Sequence, residues 1–188
     1  MKRKVAIIDT LGVHGGAFHF YTFGQSIGLI NSGVDVSLYT NNETINPRIT
    51  GLKFFSFYKD IFASESKIIN GLQWIIGSIQ SILHARFLGI SIFHFHIFYT
   101  NVLVLFSLLL VKLLFGKVVL TVHDVSSFAN SPDLSIIGNI IYKLTDLILT
   151  HNEFSKSEII KVNPTLSSCI YIVPHGNYIP FIHVQNDK

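Results

Sequence analysis

The sequence contains few charged residues and almost no cysteine. Of its 188 residues, 13% are charged and 49% are hydrophobic, so the chain can bury a large core and is not an intrinsically disordered protein. The single cysteine, Cys169, excludes an intrachain disulfide framework and is typical of a protein from the reducing cytoplasm. The length suits one domain, which we place at residues 1–178, followed by a polar tail or the start of a linker at residues 179–188.

Long hydrophobic runs are also absent. The longest, residues 102–111, is interrupted by Lys112 and is shorter than the roughly 20 residues that a membrane-spanning helix needs. Near the N-terminus, residues 5–8 are too short for the apolar core of a signal peptide and lead directly into Asp9. We therefore expect a cytoplasmic protein.

Acidic residues are missing from the whole interval between Glu65 and Asp124. Four basic residues fall inside it: Lys67, Arg86, Lys112 and Lys117. The same interval contains the apolar residues 68–77, with the one tryptophan, Trp74. Such a helix can lie on an anionic membrane at the inner face, or it can be an ordinary core helix. A nucleic-acid partner is not expected, because the only basic cluster, residues 2–4, has no aromatic residues interleaved with it.

Short β-branched runs alternate with longer helical patterns, as in βαβ units. We predict an α/β domain with a Rossmann-like open parallel sheet of about seven strands and helices on both faces. The predicted strands are residues 4–9, 34–39, 52–57, a strand ending at His96, and residues 117–123, 147–151 and 169–173. The predicted helices are residues 17–32, 60–87, 100–115, 134–143 and 155–162.

Histidines are concentrated where these strands should end. The residues concerned are His94, His96, His123, His151 and His175, and His14 lies in the loop after the first strand. In open α/β sheets, ligands bind outside the carboxyl ends of the strands. The pattern therefore indicates a binding face for a polar ligand at this edge.

The loop after the first strand places Gly15 and Gly16 just before a predicted helix. Free N–H groups and the positive end of the helix dipole at such a position form an anion site, so the glycines either approach a phosphate or only allow a tight turn. The loop is not a G-x-G-x-x-G motif, and the second strand has no carboxylate at its end for a ribose. We therefore expect no dinucleotide or other cofactor.

His123 and Asp124 form the most distinctive local pair. An imidazole beside a carboxylate can hydrogen-bond a sugar hydroxyl or exchange a proton near neutral pH, although Asp124 could instead cap the following loop. His94 and His96 are two apart on one strand and point to the same side, so together with this pair they could resemble a metal site. A metal-dependent hydrolase that uses His94, His96, His123 and Asp124 is therefore an alternative.

Other motifs favour structural roles. Ser155 and Glu158 have the spacing of a helix capping box after Asn152, and Gly176 accounts for a turn next to His175. There is no G-x-S-x-G motif, and Cys169 lies in an apolar strand, so no nucleophile is indicated.

Taken together, these motifs resemble the N-terminal half of a family 4 glycosyltransferase of the GT-B fold. The matching segments follow the family's order over residues 4–177: the first strand with residues 14–16, residues 118–124, residues 146–152 with Ser155, and residues 172–176.

The resemblance implies transfer of a sugar, of the hexosyl type, from a nucleotide-sugar to a glycan or lipid-linked acceptor. It implies retention of configuration and no essential metal. Gly15 and Gly16 would approach the donor phosphates, and His123 with Asp124 would act at the reaction centre. Sugar or acceptor contacts would come from His14, His94, His96, His151, Asn152 and His175.

One departure from the family is large. Its members bind the nucleotide with a C-terminal Rossmann domain, and this sequence stops where that domain should begin. We therefore expect the isolated chain to be inactive without a separate or missing donor-binding domain. A non-catalytic binding module of the same fold is the further alternative.

Overall fold

A computed structural model describes residues 2–123 and 136–176 of the chain. Within these residues the strands are β1 (Lys4–Asp9), β2 (Asp35–Asn41), β3 (Leu52–Tyr58), β4 (Ile92–Ile97), β5 (Lys117–Val122), β6 (Leu147–Thr150) and β7 (Ile170–Ile172). The α-helices are α1 (Phe18–Asn31), α2 (Lys67–Phe87), α3 (Val102–Leu113), α4 (Ile136–Leu144) and α5 (Glu153–Val162). Two 3-10 turns, Gly12–Gly15 and Pro164–Cys169, were not predicted.

The seven strands form one parallel sheet in the order β3-β2-β1-β4-β5-β6-β7. This confirms the predicted Rossmann-like open sheet. The strand order reverses between β1 and β4, which are neighbours although α1, β2, β3 and α2 separate them in the chain. In open α/β sheets the ligand crevice lies at such a reversal, outside the carboxyl ends of the strands.

The core lies on both faces of the sheet, because side chains of a strand alternate between them. Phe93, Phe95 and Ile97 of β4 pack in the larger cluster, together with residues of α2, α3 and α4. Ile7 of β1 packs on the opposite face, with Phe23 of α1. Helices therefore cover both faces, as predicted, and His94 and His96 are left pointing toward the face that α1 covers.

Predicted helix starts differ from the structure by one or two residues at α1, α3 and α5, and by more at α2. The helix α2 begins at Lys67 rather than near residue 60, because Asp60 has a left-handed backbone (φ 55°) and Ser66 caps the helix by accepting a hydrogen bond from the Ile69 N–H. The predicted Ser155–Glu158 capping box is wrong, since the carboxamide oxygen of Asn152 accepts from the Ser155 N–H and α5 begins at Glu153. Residues 134–135 and the predicted tail, residues 179–188, lie outside the described residues.

Close packing of α2 on the sheet depends on a glycine. A Cβ atom on Gly77 would lie 2.7 Å from Cδ1 and 3.0 Å from Cα of Tyr58, whereas a Cβ on Gly71 of the same helix would have no heavy atom within 4 Å. Tyr58 is fully buried at the end of β3 and cannot move aside easily.

Gly77→Ala and Gly71→Ala should therefore have opposite effects on the free energy of unfolding. We expect Gly77→Ala to lower it by about 1–3 kcal/mol through overpacking. Gly71→Ala should raise it by about 0.5–1 kcal/mol, because alanine has the higher helix propensity. Urea denaturation of the two variants measures both values, and equal effects would contradict this packing of α2.

Candidate functional site at the carboxyl edge of the sheet

A chain of hydrogen-bonded imidazoles crosses the carboxyl ends of β4, β5 and β6. His96 Nε2 lies 3.0 Å from Gln25 Oε1 of α1, and His96 Nδ1 lies 3.0 Å from His123 Nε2. His123 Nδ1 lies 2.8 Å from His151 Nε2, and His151 Nδ1 lies 2.9 Å from the carbonyl oxygen of Val173. The predicted histidines of three adjacent strands are thus brought together and connected to α1.

The imidazole chain makes four hydrogen bonds, counting those to Gln25 and to the Val173 carbonyl, and each of them needs one hydrogen. Three neutral imidazoles supply only three N–H groups. All four contacts are satisfied if Gln25 turns its amide NH₂ toward His96, or if a cation or an additional proton lies between two of the rings. The Val173 carbonyl only accepts, so His151 holds its proton on Nδ1 in either case.

Burial keeps these imidazoles uncharged at neutral pH. Burial lowers the pKa of His94 to about 4 and, with further contributions from neighbouring imidazoles, lowers the pKa of His123 to about 2. The pKa of His96 is also well below its ordinary value, chiefly through burial, and burial lowers that of His151. The site therefore offers neutral hydrogen-bonding rings rather than a positively charged patch.

His94 lies next to the imidazole chain, on its buried side. Its Nε2 lies 2.7 Å from the Thr121 hydroxyl, and its ring stacks on His96 with centroids 4.9 Å apart. Because His94 is buried at the middle of β4, it supports the ring of His96 from beneath. This position favours a structural role over the predicted sugar contact.

Aromatic side chains of α1 cover the chain of imidazoles. The Phe18 ring lies 4.0 Å from the His123 ring, and the Tyr21 ring lies 5.3 Å from both His123 and His151. Sequence reasoning missed Phe18, Tyr21 and Gln25. Their spacing of three and four residues was the available signal, since it places all three on one face of a helix.

The loop after β1 is held by a buried carboxylate. Asp9 Oδ1 accepts from the Gly12 N–H and Oδ2 accepts from the Thr22 hydroxyl, both at 3.0 Å, and burial raises the pKa of this carboxyl. Gly16 has φ 64° and no heavy atom within 4 Å of a hypothetical Cβ, so one side of it is open. At Gly15 a Cβ would lie 3.2 Å from the Phe18 Cβ, so that glycine is needed for local packing.

Two of the predicted site residues have other partners, and a third cannot be placed. His14 Nε2 pairs with Glu43 Oε1 at 3.0 Å, and its ring packs on Phe62 at 4.2 Å, rather than on the imidazole chain. Asn152 uses its carboxamide oxygen to cap α5. Asp124, the predicted partner of His123, lies outside the described residues.

A cavity of about 540 Å³ opens beside the imidazole chain, at the reversal of strand order. His96 lies in its wall, together with Leu11 after β1, Lys67 and Trp74 of α2, and Asn101 at the start of α3. A second cavity, of about 630 Å³, lies against β3 and the side of α2, away from the reversal of strand order. We take the first cavity as the ligand cleft because it lies where the fold positions ligands.

Among the described members of the metal set considered from the sequence, His94 does not join the others, because it directs Nε2 to Thr121. The fourth member, Asp124, lies outside the described residues. Among the described residues, the ring nitrogens that do converge belong to His123, His151 and His175, which lie within 4.8 Å of one another.

Solved structures with the same fold include a sucrose-phosphate synthase, a glycosyltransferase and a UDP-GlcNAc 2-epimerase. Sucrose-phosphate synthase from Thermosynechococcus elongatus matches with a TM-score of 0.67 and 11% identity over 94% of this chain and 49% of its own. A glycosyltransferase from Rickettsia africae matches with a TM-score of 0.62 and 14% identity over 93% and 43%. UDP-GlcNAc 2-epimerase from Methanocaldococcus jannaschii matches with a TM-score of 0.59 and 13% identity over 92% and 45%.

These likenesses establish the fold as that of one Rossmann-like half of a GT-B protein. The chain spans slightly less than half the length of the neighbours it matches. No family model and no curated protein sequence matches it.

The buried imidazoles predict how stability depends on pH. An unfolded histidine titrates near pH 6.5 and folded His94 near pH 4, so between these values the unfolded state binds the additional proton. Each such histidine lowers the free energy of unfolding by about 1.4 kcal/mol per pH unit as the pH falls from 6.5.

His94→Gln should therefore show a smaller loss of stability than the wild type between pH 6.5 and 5. Thr121→Val is the matched control, because it removes the hydrogen bond but keeps the buried imidazole, and it should retain the wild-type slope. Urea denaturation at several pH values measures these slopes. Equal slopes in wild type and His94→Gln would show that His94 does not remain neutral in the fold.

Proposed function

We propose that this chain is the acceptor-side domain of a glycosyltransferase that transfers a sugar, of the hexosyl type, from a nucleotide-sugar with retention. The observation that carries the proposal is the group of neutral, hydrogen-bonded imidazoles at the carboxyl edge of a GT-B half-domain, beside a cleft at the reversal of strand order. Neutral rings in this position can hydrogen-bond sugar hydroxyls without attracting unrelated anions.

The loop after β1 supports the donor side of this proposal. Asp9 accepts hydrogen bonds from the Gly12 N–H and from the Thr22 hydroxyl of α1, so the loop and the N-terminal part of the helix are held together. No side chain caps the start of α1, and Gly16 is exposed just before it. A phosphate could therefore approach the N-terminus of this helix from the open side of Gly16.

The cleft beside β4 supports an acceptor with an apolar part. Its wall combines Lys67 and Trp74 of α2 with Phe98 after β4. A lysine can pair with a phosphate, while the aromatic rings can stack on a sugar or contact a lipid chain. A lipid-linked glycan has all of these groups.

His123 would act as a neutral hydrogen-bonding group. Its two ring nitrogens are bonded to His96 and His151, so a sugar would have to replace one of these partners. The contact with His151 is the easier one to open, because His151 lies nearer the surface than the buried His96. With a pKa of about 2, the ring is not a cationic acid at neutral pH.

The proposed reaction also needs a second, donor-binding domain, which belongs either to a longer polypeptide or to a separate one. The chain matches less than half of each structural neighbour, and one epimerase neighbour was crystallised with UDP-GlcNAc and UDP. Stabilising the diphosphate leaving group contributes several kcal/mol to such transfers, and the described residues do not bring several basic side chains to the cleft.

The isolated chain should accordingly show no measurable transfer from nucleotide-sugars, and addition of the donor-binding half should restore it. In the complete system, His123→Ala should lower kcat by at least about 100-fold, the lower range for loss of a hydrogen-bonding group positioned at the transition state. His84→Ala is the control, since His84 lies near the end of α2, where it bonds to the Tyr39 hydroxyl and not to the imidazole chain.

Sugar-transfer assays with a thermal unfolding measurement on each variant would separate loss of activity from loss of folding. Robust turnover by the isolated chain would contradict the need for a second domain. Unchanged glycan synthesis in cells with a folded His123→Ala protein would favour the non-catalytic binding module.

We also propose peripheral contact with an anionic membrane through α2. The buried face of this helix is formed by small residues and Ile82, whereas its outer side exposes a stripe of apolar residues at spacings of three and four: Ile69, Leu72, Ile76, Ile79 and Leu83. The surrounding segment contains basic residues and no acidic ones. Among the described residues no helix is long and apolar enough to cross a membrane. Contact along the surface is the arrangement that fits such a stripe.

Leu72→Glu with Ile76→Glu should abolish sedimentation of the chain with vesicles of phosphatidylglycerol and phosphatidylcholine. Gln73→Glu with Gln80→Glu adds the same charge to the same helix without removing apolar surface, and should weaken binding much less. Binding of the wild type should fall when phosphatidylglycerol is omitted or salt is added. Equal loss in both double variants would mean that charge alone governs the contact.

A further inference from the structure

Three histidines that follow adjacent strands bring ring nitrogens close together. His123 directly follows β5, His151 directly follows β6, and His175 follows β7 after two residues. One nitrogen of each ring lies within 4.8 Å of the others. Because β5, β6 and β7 are neighbours in the sheet, the fold itself brings these three residues together.

Hydrogen bonds to the other nitrogens orient two of these rings. His151 Nδ1 donates to the Val173 carbonyl at 2.9 Å, and His175 Nδ1 donates to the Gly176 carbonyl at 2.8 Å. A carbonyl can only accept, so each Nδ1 holds the proton and each Nε2 presents a lone pair. Histidines that bind metals almost always use their second nitrogen in this way.

The third ring, His123, is oriented by His96, which in turn contacts Gln25 of α1. With Gln25 Oε1 facing His96 Nε2, that nitrogen donates and His96 Nδ1 accepts. If His123 then donates from Nε2 to His96, its Nδ1 presents a lone pair to the lone pair of His151 Nε2, 2.8 Å away. Two facing lone pairs repel each other unless a cation lies between them.

We propose that His123, His151 and His175 form a binding site for a divalent transition-metal ion, with Zn²⁺ as the best match. Imidazole nitrogen is a preferred ligand of zinc, and three histidines with one open position form a known type of zinc site. Two nitrogens bound tetrahedrally at about 2.0–2.1 Å from zinc lie about 3.3 Å apart, so His123 and His151 need to separate by only about 0.5 Å. When Gln25 accepts a hydrogen bond from His96, the lone pairs of His123 and His151 face each other, and the ion supplies the positive charge between them.

The surroundings of the three rings suit a bound ion. The Tyr21 ring lies 4.9 Å from the His175 ring and 5.3 Å from each of the other two, so it covers one side of the site. An apolar cover of this kind limits access of water and strengthens coordination. Occupancy would join the segment after β7 to the ends of β5 and β6, and would hold His123 away from a sugar. Transfer itself is expected to need no metal, and an ion bound to His123 would compete with the proposed sugar contact.

The test is zinc binding by the full chain without a histidine tag, after treatment with a chelator. Titration with ZnCl₂ should give one bound ion per chain, and cobalt(II) in its place should give the absorption of a four-coordinate site. His175→Ala and His151→Ala should each lower the affinity at least about 100-fold. His175 is exposed, so its replacement should leave the fold intact, as thermal unfolding would verify.

His14→Ala and His19→Ala are the matched controls, because both remove a histidine outside the three converging rings. They should bind zinc with the wild-type affinity. The proposal is overturned if the wild type binds no zinc, if folded His175→Ala binds it as tightly as the wild type, or if the controls lose as much affinity. None of these measurements uses a nucleotide-sugar, so they are separate from the test of transfer.

Discussion

The hydrogen-bonded chain from Gln25 through His96, His123 and His151 is the interaction on which the site depends. Buried imidazoles are tolerated in a fold only when they are neutral and their nitrogens have partners. Here the partners are one another, so the ends of β4, β5 and β6 and the helix α1 are positioned as a unit. This requirement explains why the polar edge of the sheet can be buried beneath aromatic residues.

The two faces of the sheet carry different parts of the proposed site. On the face of α1, the loop held by Asp9 and the exposed Gly16 lie next to the imidazoles, where the proposed reaction would place the donor phosphates. On the opposite face, α2 provides one wall of the cleft and exposes its apolar stripe. The point where strand order reverses lies between them, so a donor and an acceptor approaching from different sides could meet there.

Much of the fold could be predicted from the sequence, because β-branched runs and periodic apolar residues report local structure directly. The concentration of histidines at strand ends was also readable, since parallel strands end at one edge. Their partners were not, because a hydrogen bond between His123 and His151 depends on register and ring orientation. For the same reason Gln25 and Tyr21, which lie on a helix distant in sequence, were missed. His14 pairs with Glu43 because the 3-10 turn Gly12–Gly15, absent from the predictions, sets its direction.

The central claim is that this domain works with a donor-binding half. The most direct measurement is the intact mass of the native polypeptide isolated from its own cells, together with any protein that co-purifies with it. The account predicts either a polypeptide of about twice the 21.1 kDa of this sequence, or the 21.1 kDa chain bound to a second Rossmann-like protein. A 21.1 kDa chain that has no partner in cells with intact glycan synthesis would contradict it.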